Sequence, residues 1–180
     1  MELPNYRFPS AKSVVLLMWE KAKDFLTRAF TVIFMATVII WFMQTFDTRL
    51  NVVENSADSI LAALGRLVSP IFAPLGFGDW RMVTALVSGF TAKEAVVSTF
   101  GVILGVSTEQ LGIALHSLFT TASAASFLAF CLLYTPCVAA VSTIKTELKS
   151  GWKTVGIVFA QCLVAWLAAF MVYHVGLLLT

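Results

Sequence analysis

The run MVTALVSGFTAKEAVVSTFGVIL, residues 82–104, is long and apolar enough for a membrane-crossing helix, yet it carries Lys93 and Glu94 at its midpoint. Each charge costs about 2.5–3.5 kcal/mol at a bilayer centre even on a lenient insertion scale. Such a pair cannot face lipid. Neighbouring helical residues point about 100° apart, so the two need not neutralise each other and are expected to reach different partners or a wet cavity.

Working outward, residues 29–46 contain no charge, and at about 1.5 Å per residue they cover about 27 Å, close to the hydrocarbon thickness. A span is expected there. Ahead of it, residues 10–28 wound as a helix put Val14, Val15, Met18, Ala22, Phe25 and Leu26 on one arc, with Glu20, Lys23, Asp24, Thr27 and Arg28 opposite. With Trp19 at the apolar edge and Lys12, Lys21, Lys23 and Arg28 available to anionic headgroups, 1–28 reads as an amphipathic, interfacial segment. The mixed composition of this stretch does not match a signal peptide. Lys21, Lys23 and Arg28 flank the span on one side and Asp47, Glu54 and Asp58 on the other, so the positive-inside rule places the N-terminus in the cytoplasm.

Residues 47–81 are the most polar and read as an external loop with a short helix and a turn marked by Pro70, Pro74, Gly76 and Gly78. Residues 110–144 again lack Asp, Glu, Lys and Arg and are too long for one straight span, so 82–144 is read as a membrane region of broken helices. One break is expected in the small-residue stretch 120–126. Another is expected at Pro136, which has no N–H to give the Leu132 carbonyl. A basic loop follows at 145–153, then a C-terminal span at 154–180. Three full crossings from a cytoplasmic start would put that basic loop outside, so one segment is expected to be re-entrant or doubled.

The composition agrees. Of 180 residues, 59% are hydrophobic and 12% charged, with mean hydropathy +0.88, against about 25% charged in ordinary soluble domains. The fold class is all-α, a polytopic integral membrane helical bundle with discontinuous or re-entrant helices. A net charge of +2 without a dense basic stripe excludes a nucleic-acid footprint. No phosphate loop, nucleophile elbow or H-E-x-x-H is present, and no bound cofactor is expected.

Interrupted apolar runs, midplane charges and a Thr135-Pro136-Cys137 break together form the pattern of a transport site built on discontinuous helices. Cys137, beside freed carbonyls, suits a borderline divalent metal such as Fe(II); its plainer reading is a small packed hydrophobe. Glu94 is a hard oxygen ligand or proton acceptor, with a structural ion pair or helix-end contact as the alternative, and Lys93 its guard or a snorkelling anchor. Cys131, six residues from Cys137, falls on the far helical face, and Cys162, His116 and His174 lack ligand-like neighbours. Gly101 and Gly105 form a G-x-x-x-G that would let helices approach closely.

Gly78, Asp79, Trp80 and Arg81, then GFTAKEAVVST at 89–99 and LLYTPCVAAVSTIKTEL at 132–148, resemble the C-terminal membrane half of the ferrous iron transport protein B (FeoB) family. MELPNYRFP at 1–9 and WEKAKDFLTRA at 19–29 resemble the segment between that family's two membrane halves. The resemblance implies a bacterial or archaeal inner-membrane Fe(II) uptake system with a GTP-binding domain, a helical spacer and two Gate, or nucleoside-recognition-like, repeats. This chain would be the second repeat with the C-terminal spans, in the bilayer, with the remaining half, small FeoA- or FeoC-like proteins and further copies as partners. Cys137 would correspond to the Gate cysteine lining the iron path, and Lys93 with Glu94 to the A-K-E element. Tyr134 and Thr135 would assist by hydroxyl or backbone, Pro136 would supply the break, and Gly89, Asp79, Trp80 and Arg81 would be structural. The alternatives are a Gate-type binding or scaffold module that passes no iron, and an inactive fragment.

Overall fold

Ser10 accepts a hydrogen bond from the Ser13 N–H (3.3 Å) and opens helix α1, Ala11–Thr45. A computed structural model of the chain describes residues 10–91, 93–134 and 137–179. No glycine or proline interrupts α1, so the amphipathic stretch and the span behind it run on as a single rod without a joint at residue 28. At about 1.5 Å per residue the rod is about 52 Å long, more than a hydrocarbon core requires, so its charged N-terminal part has room to project beyond it.

A tight loop follows. The Asp47 carboxylate accepts from the Arg49 N–H (2.6 Å) and the Asn51 N–H (3.0 Å), which tolerates Leu50 at φ 62°. Ser59 caps α2, Ile60–Phe72, which continues through a 3₁₀ turn, Ala73–Leu75, to Gly76 at φ 80°. A Cβ at Gly76 would run into the Tyr173 ring. Asp79 then caps α3, Trp80–Gly89.

The stretch expected to hold a short helix in a polar loop is thus the first arm of a bent pair. Ile60–Leu75 and Trp80–Gly89 meet at 104°, and Leu61 and Ala62 are fully buried. Gly65 lets the arms touch, since a Cβ there would lie 2.9 Å from the Trp80 carbonyl.

Residues 82–104 do not form one span. The chain leaves the helix after Gly89 and re-enters it in α4, Ala95–Leu104, with Lys93 and Glu94 exposed in the turn between. Gly101 and Gly105 are not a helix-packing motif: Gly105 (φ 64°) ends α4, and the Val106 N–H returns to the Gly101 carbonyl (3.2 Å). Helix α5, Thr108–His116, completes a second bent pair at 76°.

The break expected within 120–126 falls just before it. Thr120 and Ser123 form a reciprocal capping box that starts α6, Thr121–Leu133. The small residues form a packing seam instead: Ser126 donates to the Ala169 carbonyl (2.9 Å), and a Cβ at Gly176 would lie 3.1 Å from that of Ala122. Helix α7, Val138–Leu148, ends at Lys149 in the left-handed region (φ 49°), and α8, Gly151–Leu179, runs back along α6.

Phe72, Phe77, Phe100, Phe127 and Phe130 interlock at centroid distances of 5.2–6.0 Å between α2, α4 and α6. That aromatic cluster holds both bent pairs against the α6–α8 seam. Among the described residues three segments, Ala11–Thr45, Thr121–Leu148 and Gly151–Leu178, are long and apolar enough to cross a membrane, and up to five if each bent pair counts as one.

Candidate functional site

The two breaks flanked by α3/α4 and α6/α7 abut. The Val138 N–H, at the start of α7, donates to the Phe90 carbonyl at the end of α3 (3.0 Å). Lys93 reaches across from the first break: its Nζ donates to the Leu132 carbonyl (3.1 Å) and stands 5.2 Å from the centre of the Tyr134 ring. Position 136 has no amide hydrogen, so Leu132 lies where a helix would leave a carbonyl free, and an ammonium fills that vacancy. Thr135 and Pro136 themselves lie outside the described residues.

Gly89 makes this approach possible. A Cβ there would overlap Val96 and lie 2.8 Å from the Tyr134 hydroxyl. Tyr134 is 7% exposed and stacked on Phe130, and its hydroxyl has no hydrogen-bond partner among the described residues. A buried, unpartnered hydroxyl is costly, which makes this atom unusual in an otherwise packed region.

Helix ends add a field. The carbonyl ends of α3 and α6 and the amide ends of α4 and α7 converge on the crossing, and carbonyl ends favour cations. Cys137 is the half-buried N-cap of α7, with its carbonyl accepting from Ala140 (2.9 Å) and its thiol making no cap bond. Glu94 occupies the N-cap position of α4, also without a side-chain cap bond, and is exposed. Lys93 and Glu94 border different cavities. Lys93 lines a space of about 590 Å³ between α4, α5 and α6, and Glu94 a neighbouring one of about 540 Å³ between α4 and α5 that shares Val97 and Leu111 with it.

The two residues singled out as path ligands, Cys137 and Glu94, therefore sit at the mouths of abutting breaks but share no hydrogen bond. Among the described residues no group of three or more His, Cys, Asp or Glu is arranged to hold a metal. Cys131, set aside by helical spacing from Cys137, lines the larger cavity with Lys93 and Tyr134. Its three-residue spacing from Tyr134 was the available signal, because residues three apart share a helix face. His116 borders the same cavity, and His174 is absorbed by a hydrogen bond between Nδ1 and the Phe170 carbonyl (2.9 Å).

Asp79, Trp80 and Arg81 form a cap. Asp79 accepts from the Arg81 N–H (2.8 Å) and pairs with both Nε (3.0 Å) and Nη2 (2.7 Å) of Arg81, while Arg66 stands 5.2 Å over the Trp80 ring. This fixes where α3 starts and so where its other end delivers Gly89.

Comparison with known proteins shows a Gate match wider than the 82–144 expected from sequence. The family described as Gate, nucleoside recognition, matches residues 26–151. The Fe(2+) transporter FeoB of Staphylococcus aureus (strain COL) is 39% identical over 178 residues, covering 98% of this chain and 26% of the relative. The Fe(2+) transporter FeoB of Methanocaldococcus jannaschii is 33% identical, covering 99% of this chain and 28% of the relative. An Fe(2+) transport protein A/Fe(2+) transporter FeoB fusion protein of Porphyromonas gingivalis is 30% identical, with 99% and 27% covered. The chain thus spans about a quarter of the length of these relatives. No solved structure matches it.

Proposed function

The chain belongs to the Gate family, and from that premise we propose that it forms part of the membrane path of a larger, GTP-dependent Fe(II) uptake transporter. What supports this reading is the abutment of two helix breaks, joined by the bond from Val138 to Phe90. Irregular backbone inside an apolar bundle is tolerated where it lines a cavity, and discontinuous helices are how transporters build cation sites. The relatives named as Fe(2+) transporters supply the cargo. Cys137 offers a sulfur and Glu94 a carboxyl oxygen, with Tyr134, Thr135 and Pro136 contributing a hydroxyl or backbone oxygens. Few, mixed ligands suit an ion that must be stripped of water and then released.

GTP acts through a domain outside these residues, and a FeoA-like protein is the proposed cytoplasmic partner, as the fused relative's name pairs the two. FeoC-like proteins and further copies of the transporter are additional partners of this reading.

Orientation follows from parity. If α1 leaves the cytoplasm, treating both bent pairs as re-entrant or both as crossings gives the same result: the loop with Lys145, Lys149 and Lys153 is cytoplasmic and the C-terminus external. This removes the conflict that a single span over 82–104 creates. Impermeant thiol labelling of single-cysteine variants at residues 150 and 179 tests it, and labelling of residue 150 from outside would refute it.

The direct test is radioactive Fe(II) uptake in cells lacking their own ferrous transporter, with this chain, the chain plus the rest of a FeoB, and that pair carrying Cys137→Ser. Uptake that needs the partner and falls with the substitution is expected; unchanged uptake removes Cys137 from the path. A second reading, a Gate module that binds or scaffolds without passing iron, is favoured by the absence of a three-donor cluster among the described residues. Well-inserted pairs that take up no iron at all would select it.

A further inference from the structure

We infer that Lys93 is a tethered cation that occupies the transported ion's own place at the crossing and must be displaced when Fe(II) binds. The inference rests on the reading of the crossing as an Fe(II) path. Three observations converge. The ammonium donates to the Leu132 carbonyl, at the negative end of α6 and four residues before a proline that offers it no N–H. It lies over the Tyr134 ring, whose face attracts cations. Tyr134 is more than nine-tenths buried, borders the same cavity, and keeps a hydroxyl with no partner among the described residues.

Tyr134 and Cys131 bring a ring face, a phenol oxygen and a thiol to the cavity wall, the Leu132 carbonyl adds an oxygen at its edge, and the Lys93 ammonium is already seated against the ring and that carbonyl. No acidic side chain pairs with Lys93 among the described residues, so its position is explained by these groups rather than by an ion pair. A divalent ion entering the set meets a like charge a few ångströms away, and the repulsion lowers its affinity. Displacement of a flexible four-carbon stem toward the cavity relieves that repulsion. Lys93 is therefore a specificity-determining residue that holds binding loose enough for release and penalises ions too weakly attracted to evict it.

The experiment is anaerobic equilibrium dialysis of the purified full chain in lipid nanodiscs with Fe(II) alone, for wild type, Lys93→Gln, Lys93→Met and Lys93→Arg. Helicity and monodispersity are checked for each. Gln keeps a donor for the Leu132 carbonyl without the charge, which guards against a variant that merely fails to fold. Removal of the charge is expected to tighten Fe(II) binding by about tenfold or more in Gln and Met, with Arg close to wild type. A purely structural lysine gives the opposite sign, so unchanged or weaker binding in folded Gln and Met variants, beside measurable wild-type binding, overturns the inference alone. No Fe(II) binding by any of the four overturns it together with the reading it rests on.

Discussion

Gly89→Ala tests whether the two breaks meet as closely as described. The added methyl would overlap Val96 and lie 2.8 Å from the Tyr134 hydroxyl, and neither neighbour is a loose surface chain: Val96 is 7% exposed, as is Tyr134. Overpacking of this kind costs about 1–3 kcal/mol. Replacing glycine by alanine inside a helix returns up to about 1 kcal/mol, less at the final residue of α3. The net loss is then about 1–2 kcal/mol, or about 2–8 °C in melting temperature for a chain of this size. Gly101→Ala is the internal control, because the nearest atom to a Cβ there is the Val106 carbonyl at 3.6 Å, an ordinary contact, and that variant is expected to gain stability. Fluorescence-monitored thermal unfolding in detergent reads both. Gly89→Ala combined with Val96→Ala should recover part of the loss, a coupling of about 0.5–3 kcal/mol for groups in contact. A Gly89→Ala protein as stable as Gly101→Ala would show that the breaks are farther apart, and the argument for a shared site would fall with it.

Tyr134→Phe removes a buried hydroxyl with no partner among the described residues, so the variant is expected to melt higher, by the equivalent of about 1–3 kcal/mol at most, and a lower melting temperature would reveal a partner for that oxygen. The Asp47 carboxyl is held below its ordinary range by the Asn51 N–H first and the Arg49 N–H after it. Its contribution is therefore fully present above the ordinary aspartate value and lost as pH falls through the lowered one. Asp47→Asn should differ from wild type in loop protection, read by proteolysis at residues 47–51, at pH 6, and the difference should shrink as the pH is lowered into the acid range. A difference that grows as the pH falls would contradict the sign.

What was legible of the breaks rests on chemistry that no tertiary context cancels. The cost of two adjacent charges marks 82–104 as an anomalous span, but it does not by itself say that the helix stops there, as it does in the turn that holds Lys93 and Glu94. A proline must free a carbonyl, and Leu132 is found paired to something other than a helix N–H. Polar composition hid the packing where it was diluted over a long stretch: the polar residues of 47–81 masked how far its helix is buried. Ser69 in fact bonds the Gly78 carbonyl (2.7 Å), Arg66 the Ala57 carbonyl (2.9 Å), and Asp79 is consumed by Arg81, leaving an apolar arm that packs.

Gly101 and Gly105 show the limit in another form. The same four-residue spacing serves helix-to-helix approach and helix termination, and only the left-handed backbone at Gly105 tells them apart. The site's composition was hidden for a related reason. Cys131 was judged by its angle to Cys137 on one continuous helix, whereas α6 ends at Leu133 and α7 starts anew at Val138, so that angle has no meaning across the break. Once the break is granted, the proper reference for Cys131 is Tyr134 on its own helical face, and both residues then fall on the cavity that Lys93 enters from α4's side. A discontinuous helix thus erases the periodicity that would reveal its ligands, and its site has to be sought one half-helix at a time.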